Sequence, residues 1–470
     1  MAHIFIAAAH KSSGKTSVAM GLTAALVQRG LAVQPFKKGP DYIDPLWLAR
    51  AAGRACYNLD FFTQTNSEIT ATFTTKSRDV EISVIEGNKG LFDGLDVEGV
   101  DSNAALATLL SAPVVLVIDT GGMTRGIAPL VRGYLDFDPD VDICGVILNK
   151  VGGARHETKL RAALDRYTDA EVLGVIGRDS ALEIPERHLG LIPANEVSTA
   201  NSMIAQLADT ASAGVDLDRI ISLARTASLP AGISGPVTRP QLQTSDVQPD
   251  VRIAIARDAA FGFYYPDDLE AFAAAGAELI AFDALSDAQL PEADGLFIGG
   301  GFPETHLAAL SANKSLLEDI RRALVTGMPA YAECGGLMYL ARSIRWRGEQ
   351  SNMVGAVPAD VIVGNRPQGR GYMVLEETDK SPWAPSSAVQ GAVTPSIPAH
   401  EFHYARLENL PDDLDCAYRV VRGAGIDGRH DGIVIANLLA GFAHHRNTEA
   451  NPWVKRFVNF VREKSDAKPG

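Results

Sequence analysis

One thiol stands where chemistry is easy to imagine. In PAYAECGGLMYL (residues 329–340), Cys334 follows an apolar run and a glutamate, and two glycines follow it. The pattern predicts a strand, a sharp turn and a helix, the elbow that presents the nucleophile in G-x-S-x-G hydrolases. Glycines permit such a turn without Cβ clashes. A thiol at a helix N-terminus is expected to be favoured as thiolate by the helix dipole. It would attack a carbonyl carbon, and it needs a base. LLAGFAHHRNTEANPW (438–453) offers His444 and His445 at a strand end. GLFIGGGFPE (295–304) offers Gly299, Gly300 and Gly301, a turn whose amides could stabilise an oxyanion. His400 and His403 in PAHEFHYA read as structural or substrate-side. Cys56, Cys144 and Cys416 have no metal or disulfide spacing and read as small buried hydrophobes.

A second chemistry lies at the other end of the chain. HIFIAAAHKSSGKTSVAMGL is a strand, a small polar loop, then Gly-Lys-Thr opening a helix. In a phosphate loop, backbone amides cradle phosphates, the lysine meets β/γ oxygens and the hydroxyl holds Mg²⁺. Gly14, Lys15 and Thr16 fit those roles, with Ser17 beside them, although Ala9 stands where the first glycine is usual. Mg²⁺ is commonly held by one or two carboxylates plus substrate phosphates. ISVIEGNKGLFDG supplies Glu86 and Asp93, and VVLVIDTGG supplies Asp119. Each is equally the type of acid that caps a turn. QPFKKGPDYIDPLWL (34–48) reads as a loop stiffened by prolines, with Asp41 and Asp44 bracketing an aromatic after two lysines. Asn149 and Lys150 end a strand, which makes them candidates for a nucleotide base or plain polar strand ends.

The elements that must position these residues follow an α/β rhythm. HIFIAAA, ISVIEG, PVVLVIDT, ICGVILNK and EVLGVIG are continuous apolar runs, as strands buried on both faces should be. Helical stretches alternate with them, which predicts a parallel sheet covered by helices. Residues 226–250 are rich in Pro, Gly, Ser and Thr and read as a linker between a domain at 1–225 and one at 251–470. The second domain resumes the rhythm at RIAIARD. With 470 residues, two domains are expected. The net charge of −14 argues against a nucleic-acid partner. No apolar run reaches bilayer length, and no signal-peptide pattern opens the chain, so a cytoplasmic protein is expected.

A thiol acyl-transfer site joined to an ATP site predicts glutamine-dependent amidation. Cysteine releases ammonia from glutamine, ATP converts a carboxylate to an acyl phosphate, and ammonia displaces the phosphate. PFKKGPDYIDP, CYNLDF, EGNKGLFDG, GVILNK, PERHLGLIP, ARDAAFGFYYPDDL, GGGFPE, AECGGLMYL and HEFHYA occur in that order. On these runs the sequence resembles the cobyrinate a,c-diamide synthase family over nearly its whole length. Its N-terminal half also resembles dethiobiotin synthetase, and its C-terminal half the class I glutamine amidotransferases.

The resemblance implies a P-loop parallel-sheet domain followed by an amidotransferase α/β domain. It implies Cys334 as nucleophile and His444 as base, because Gly441-Phe442-Ala443-His444 matches the family's strand end. It implies that the third triad acid is missing, and His445-Arg446 offers none. Asp41, Tyr42 and Asp44 would place substrate carboxylates, and Glu86 and Asp93 would serve the ATP/Mg²⁺ or phosphorylation step. ATP, Mg²⁺, glutamine and a tetrapyrrole polycarboxylate are the implied cofactors and partners, and a homodimer stays open. Two departures stand out, both expected on the substrate side. Trp47-Leu48 replaces an aromatic-histidine pair, and Asn88-Lys89 replaces an apolar pair. Cobyrinate or hydrogenobyrinate is the default substrate. Sirohaem or nickel-sirohydrochlorin is the alternative, with Lys89 and Lys37-Lys38 pairing extra carboxylates. Cobyric acid synthase, the same chemistry on later side chains, fits GPDYIDP and NLD less well. A P-loop ATPase switch with an inactive amidotransferase domain is the rival of another class. His10 stands where such a switch carries its signature lysine.

Overall fold

A computed structural model describes residues 1–178, 186–187, 190–228, 248–383 and 396–466. The chain divides into two compact units, Met1–Arg239 and Pro240–Gly470. Most of the expected linker, residues 229–247, lies outside the described residues, as does part of PERHLGLIP.

The first unit runs β1 (His3–Ala8), α1 (Lys15–Gln28), β2 (Val33–Lys38), α2 (Ile43–Ala52), β3 (Tyr57–Leu59), α3 (Asn66–Lys76), β4 (Ile82–Glu86), α4 (Asn103–Leu110) and β5 (Val114–Asp119). It continues with α5 (Ile127–Phe137), β6 (Ile143–Val151), α6 (Ala154–Tyr167), β7 (Val172–Gly177), a small β8 (Glu186–Arg187) and β9 (Gly190–Leu191), then α7 (Ala200–Gly214) and α8 (Leu217–Ala224). Seven strands form one parallel sheet in the order β3-β2-β4-β1-β5-β6-β7. The apolar runs are continuous because both faces are covered. Ile4, Ile6 and Ala8 enter one core, with α1, α2 and α7. Phe5 and Ala7 enter the other, with α3, α4 and α5. This is the alternation that strand geometry requires.

One element differs from the sequence reading. Residues 34–48 were expected as a stiff loop, yet β2 runs to Lys38 and α2 begins at Ile43 and contains Asp44 and Pro45. Pro45 sits in the first turn, where its missing N–H has no intrahelical partner to lose. The Asp41 carboxylate accepts from the amides of Ile43 (2.9 Å) and Asp44 (3.1 Å), and so starts the helix.

The second unit begins with β10 (Val251–Ala256), β11 (Phe261–Phe263), α9 (Pro266–Ala274), β12 (Ala277–Phe282), β13 (Gly295–Ile298), β14 (Gly300–Gly301), α10 (Leu307–Ala312), α11 (Lys314–Val325), β15 (Ala330–Glu333) and α12 (Gly335–Leu340). It ends with β16 (Ala341–Trp346), β17 (Glu349–Asn352), β18 (Val357–Val363), β19 (Gly369–Glu377), β20 (Ser396–His403), β21 (Ala405–Glu408), β22 (Asp415–Arg422), β23 (His430–Ile435), β24 (Leu438–Gly441) and α13 (Trp453–Asp466). Its main sheet has the order β12-β10-β13-β15-β24-β23-β22-β19-β20. The strands from β12 to β24 are parallel, and the remainder antiparallel. That antiparallel half, and a second sheet β17-β16-β18-β21, carry no α/β rhythm and were not anticipated. IVIANLLAG is a hairpin, β23 and β24 turning at Ala436 (φ +52°). Among the described residues, no helix is long and apolar enough to cross a membrane.

Candidate functional site

In each unit the chemistry-bearing residues gather at the carboxyl ends of parallel strands, where open α/β sheets hold ligands. In the first unit, the loop after β1 leads into α1 through Gly14, whose φ of +79° is left-handed. A Cβ there would stand 2.2 Å from the Asn149 amide nitrogen. Asn149 donates to the carbonyl of Ser13 (2.9 Å), and Lys150 donates to that of Ser12 (3.0 Å). These two residues therefore shape the phosphate loop from β6. Lys150 also pairs with Asp119 at 2.8 Å, which leaves that acid tied to a lysine and outside the wall of the cavity described next.

A cavity of about 910 Å³ opens over the loop, a size suited to a large ligand. Its wall includes Gly14, Lys15, Thr16, Ser17, Lys37, Asp41, Asp44 and Lys89. Glu86 ends β4 and is fully buried behind this wall. Its Oε1 accepts from Lys15 (2.8 Å) and Thr16 (2.7 Å) and lies 3.1 Å from the Lys37 ammonium. Its Oε2 is buried without a hydrogen-bond partner. Thr16 also donates to Asp44 at 3.4 Å. Among the described residues no group of three or more His, Cys, Asp or Glu converges on a metal-sized site. A magnesium ion held by one carboxylate, one hydroxyl and phosphate oxygens needs no such group, and the orphaned Glu86 oxygen fits it.

Lys37 is the central cation here. It is buried between Asp44 (2.5 Å) and Glu86, with Asp41 at 3.9 Å. Burial opposes its charge, but Asp44, Glu86 and Asp41 together hold its pKa well above the ordinary lysine value. Burial lowers that of Lys15, against the pull of Glu86. Burial, and then the charge of Asp44, raise the pKa of Asp41, while Lys37 holds that of Asp44 down against its own burial. Tyr42 is buried at the start of α2, and Asp93 accepts from the Gly90 amide (3.0 Å). Neither lines the cavity, so of the expected acidic cluster the structure brings only Asp41 and Asp44 to the wall.

In the second unit, Cys334 sits between β15 and α12 with φ +47° and ψ −101°. A non-glycine residue in that region is strained, as at a nucleophile elbow. The packing around it explains the glycines. A Cβ on Gly335 would lie 2.9 Å from the backbone nitrogen and oxygen of Gly301, and one on Gly336 would lie 2.2 Å from the Ile298 carbonyl. Gly336→Ala should therefore lower unfolding stability by about 1–3 kcal/mol or more. A denaturant titration reads this as a shifted midpoint.

β15 pairs with β24 so that Glu333 faces Gly441, and the Cys334 amide donates to the Gly441 carbonyl (2.7 Å). His444 follows three residues later. Its Nδ1 meets Glu333 Oε2 at 3.3 Å, and its ring stacks on His400 with centroids 4.8 Å apart. His445 is turned away: it packs against Tyr418, and burial lowers its pKa to about 4. Thus the Glu333 carboxylate stands where the sequence reading expected no acid. Buried Asp431 braces the approach by accepting from the amides of Phe442 (3.0 Å) and Ala443 (2.9 Å). His403 stacks on Phe442, away from the thiol's histidine.

Two expectations about this site need correction. The Gly299 amide donates to the Tyr264 hydroxyl (3.0 Å) and is not available to an oxyanion, while Gly300 and Gly301 form β14, paired with β11. The surroundings of the thiol disfavour the expected thiolate. Burial pushes its pKa up, Glu304 adds to the rise, and the Gly335 amide only partly offsets them. Burial likewise raises the pKa values of Cys56, of Cys144 to about 12 and of Cys416 to about 11, as suits thiols that only pack.

Comparison with known proteins matches both units. Residues 4–192 match the CobQ/CobB/MinD/ParA nucleotide binding domain, and residues 252–452 the CobB/CobQ-like glutamine amidotransferase domain. A cobyrinate a,c-diamide synthase of Magnetococcus marinus is 45% identical over 98% of this chain and 97% of its own length. One of Methanosarcina barkeri is 37% identical over 99% and 97%. One of Caldanaerobacter subterraneus is 37% identical over 98% of each chain. The chain belongs to the cobyrinate a,c-diamide synthase family. It is a ligase of the amidotransferase type, with a P-loop nucleotide-binding domain ahead of the amidotransferase domain.

Within that family frame, the two departures separate. Trp47 and Leu48 are fully buried in the core of the first unit, and the Trp47 indole donates to the Ile192 carbonyl (2.8 Å). Neither lines the cavity, although both were expected on the substrate side. Asn88 and Lys89 do line the cavity, with Lys89 at φ +39°.

Proposed function

We propose that this protein uses glutamine and ATP to convert the a- and c-side-chain carboxylates of a cobyrinate-type tetrapyrrole to amides. What carries this reading is the strained Cys334 elbow, whose preceding residue Glu333 contacts His444, in a chain whose other unit holds a phosphate-loop cavity lined by Lys15, Lys37, Asp41 and Asp44.

The chemistry follows from these groups. His444 takes the Cys334 proton as sulfur attacks the carboxamide carbon of glutamine, with the Gly300-Gly301 turn as the oxyanion region. The tetrahedral intermediate collapses, His444 returns the proton to the leaving nitrogen, and ammonia departs. Water then hydrolyses the thioester to glutamate. In the first unit, a ring carboxylate oxygen attacks the γ-phosphorus of ATP, and ADP leaves. Lys15 and the loop amides bear the phosphate charge. Thr16 and Glu86 would hold Mg²⁺, which neutralises phosphate charge when bound. Asp41, Tyr42, Asp44 and Asp93 act on the substrate or phosphorylation side, Tyr42 and Asp93 from behind the wall. Ammonia attacks the acyl carbon and expels phosphate.

The test is a panel of rings. Cobyrinate, sirohydrochlorin, nickel-sirohydrochlorin and sirohaem are each offered with ATP, Mg²⁺ and glutamine, and mass spectrometry counts amides. Two amides on cobyrinate are expected. Amidation confined to a sirohydrochlorin-type ring would keep the chemistry, reject the substrate and point to Lys89. ATP hydrolysis with no amide on any ring would favour the switch.

A further inference from the structure

We infer that Glu333, the residue immediately before the nucleophile, is the positioning acid for His444. The inference rests on the proposed glutaminase reading and assigns a group that the sequence left missing. Three groups converge on this buried carboxylate. Oε1 accepts from the Tyr331 hydroxyl (2.6 Å) and the His445 amide (3.0 Å), and Oε2 faces His444 Nδ1 (3.3 Å). Its side chain is 4% exposed and that of His444 3%.

The arrangement decides the histidine's tautomer. With Nδ1–H donating to Glu333, the lone pair lies on Nε2, the nitrogen that must receive the thiol proton. The ring is held on other sides too. His400 lies against one face, and the backbones of residues 400 and 444 exchange two hydrogen bonds (2.8 and 3.3 Å). A Cβ on Gly300 would stand 2.6 Å from the ring's Cε1. The bonds from Tyr331 and His445 fix the carboxylate, so it cannot swing toward the histidine or away from it. Strand geometry makes this compact. Tyr331 and Glu333 share one side of β15 at spacing two, and the next residue is the thiol. Base orientation and nucleophile presentation thus come from adjacent residues.

Glu333→Gln keeps the side chain's shape. Its amide oxygen still accepts from Tyr331 and His445, and its NH₂ then faces Nδ1, which favours the wrong tautomer. The glutaminase kcat is expected to fall by roughly 10²–10⁴-fold, with KM for glutamine little changed and ammonia-driven amidation intact. The charged and titratable groups around the ring are Cys334, Glu333 and His400, with His445, Arg446, Tyr331, Glu304 and Asp431 further out. Of these only Glu333 is changed. A kcat within threefold of the parent overturns the inference, and so does a loss confined to KM. A measurement on the unaltered chain guards against a variant that folds poorly. Ring-nitrogen NMR should find the proton of neutral His444 on Nδ1, and a proton on Nε2 overturns the inference. Glutaminase activity surviving Cys334→Ala would instead strike the underlying reading.

Discussion

Cys334→Ala should remove glutamine-driven amidation, by roughly 10⁴-fold or more, and leave ammonia-driven amidation at the parental rate. The loss is large because a methyl group cannot form the thioester. The survival is expected because nothing in the phosphate-loop unit depends on the thiol. Stability should change little, since alanine is smaller and the elbow's strain comes from φ +47° at that position. A paired assay with glutamine and with ammonium chloride reads both outcomes at once. Equal losses with the two nitrogen sources would mean that the thiol matters to the fold or to the ligase step, and the division of labour would be wrong. Burial and Glu304 push the thiol's pKa up, which favours an attack coupled to proton transfer toward His444. His444 also returns a proton to the leaving nitrogen, so His444→Ala should likewise lower glutamine-driven amidation and spare ammonia-driven amidation.

Local features of the site were readable in sequence, and the features that depend on register were not. Gly14-Lys15-Thr16 and Glu-Cys-Gly-Gly announce themselves because each turn's backbone demands particular residues on the spot. The roles of Asn149 and Glu333 depend on which strands lie side by side. Asn149 reaches the loop only because β6 pairs with β5, and β5 with β1. Glu333 reaches His444, 111 residues away, only because β15 pairs with β24. One signal was available for Glu333: a charged residue ending a buried strand must find a partner inside. The same reasoning would have marked Lys37, which lies near the end of the buried strand β2 and is 1% exposed. The start of α2 was misread because proline was weighed as a loop former, although it is tolerated in a first turn. The substrate-side assignment of Leu48 failed for a related reason. Once residues 43–52 are helical, position 48 turns into the core with Trp47 and Ala51.

Glu86→Gln makes the opposite prediction to Cys334→Ala. It should lower amidation on the order of 10²–10³-fold with either nitrogen source, the scale of losing one group that bears on developing charge. Ammonia cannot rescue it, because the defect lies in the ATP-dependent step. The argument rests on position. Glu86 Oε1 is engaged by Lys15, Thr16 and Lys37 at 2.7–3.1 Å, while Oε2 is buried without a hydrogen-bond partner. A buried carboxylate oxygen left unpaired is costly, and a divalent cation beside the Thr16 hydroxyl would satisfy it. Glutamine keeps the size and one acceptor but loses the charge, so the requirement for Mg²⁺ should rise together with the fall in rate. The fold should survive, since Lys37 retains its bond to Asp44 at 2.5 Å. The measurement is ammonia-driven amidation against Mg²⁺ concentration in parent and variant. Unchanged rate and unchanged Mg²⁺ dependence would reduce Glu86 to a counter-ion for two lysines and move the metal to another acid of the wall, with Asp44, 3.4 Å from Thr16, the first to test.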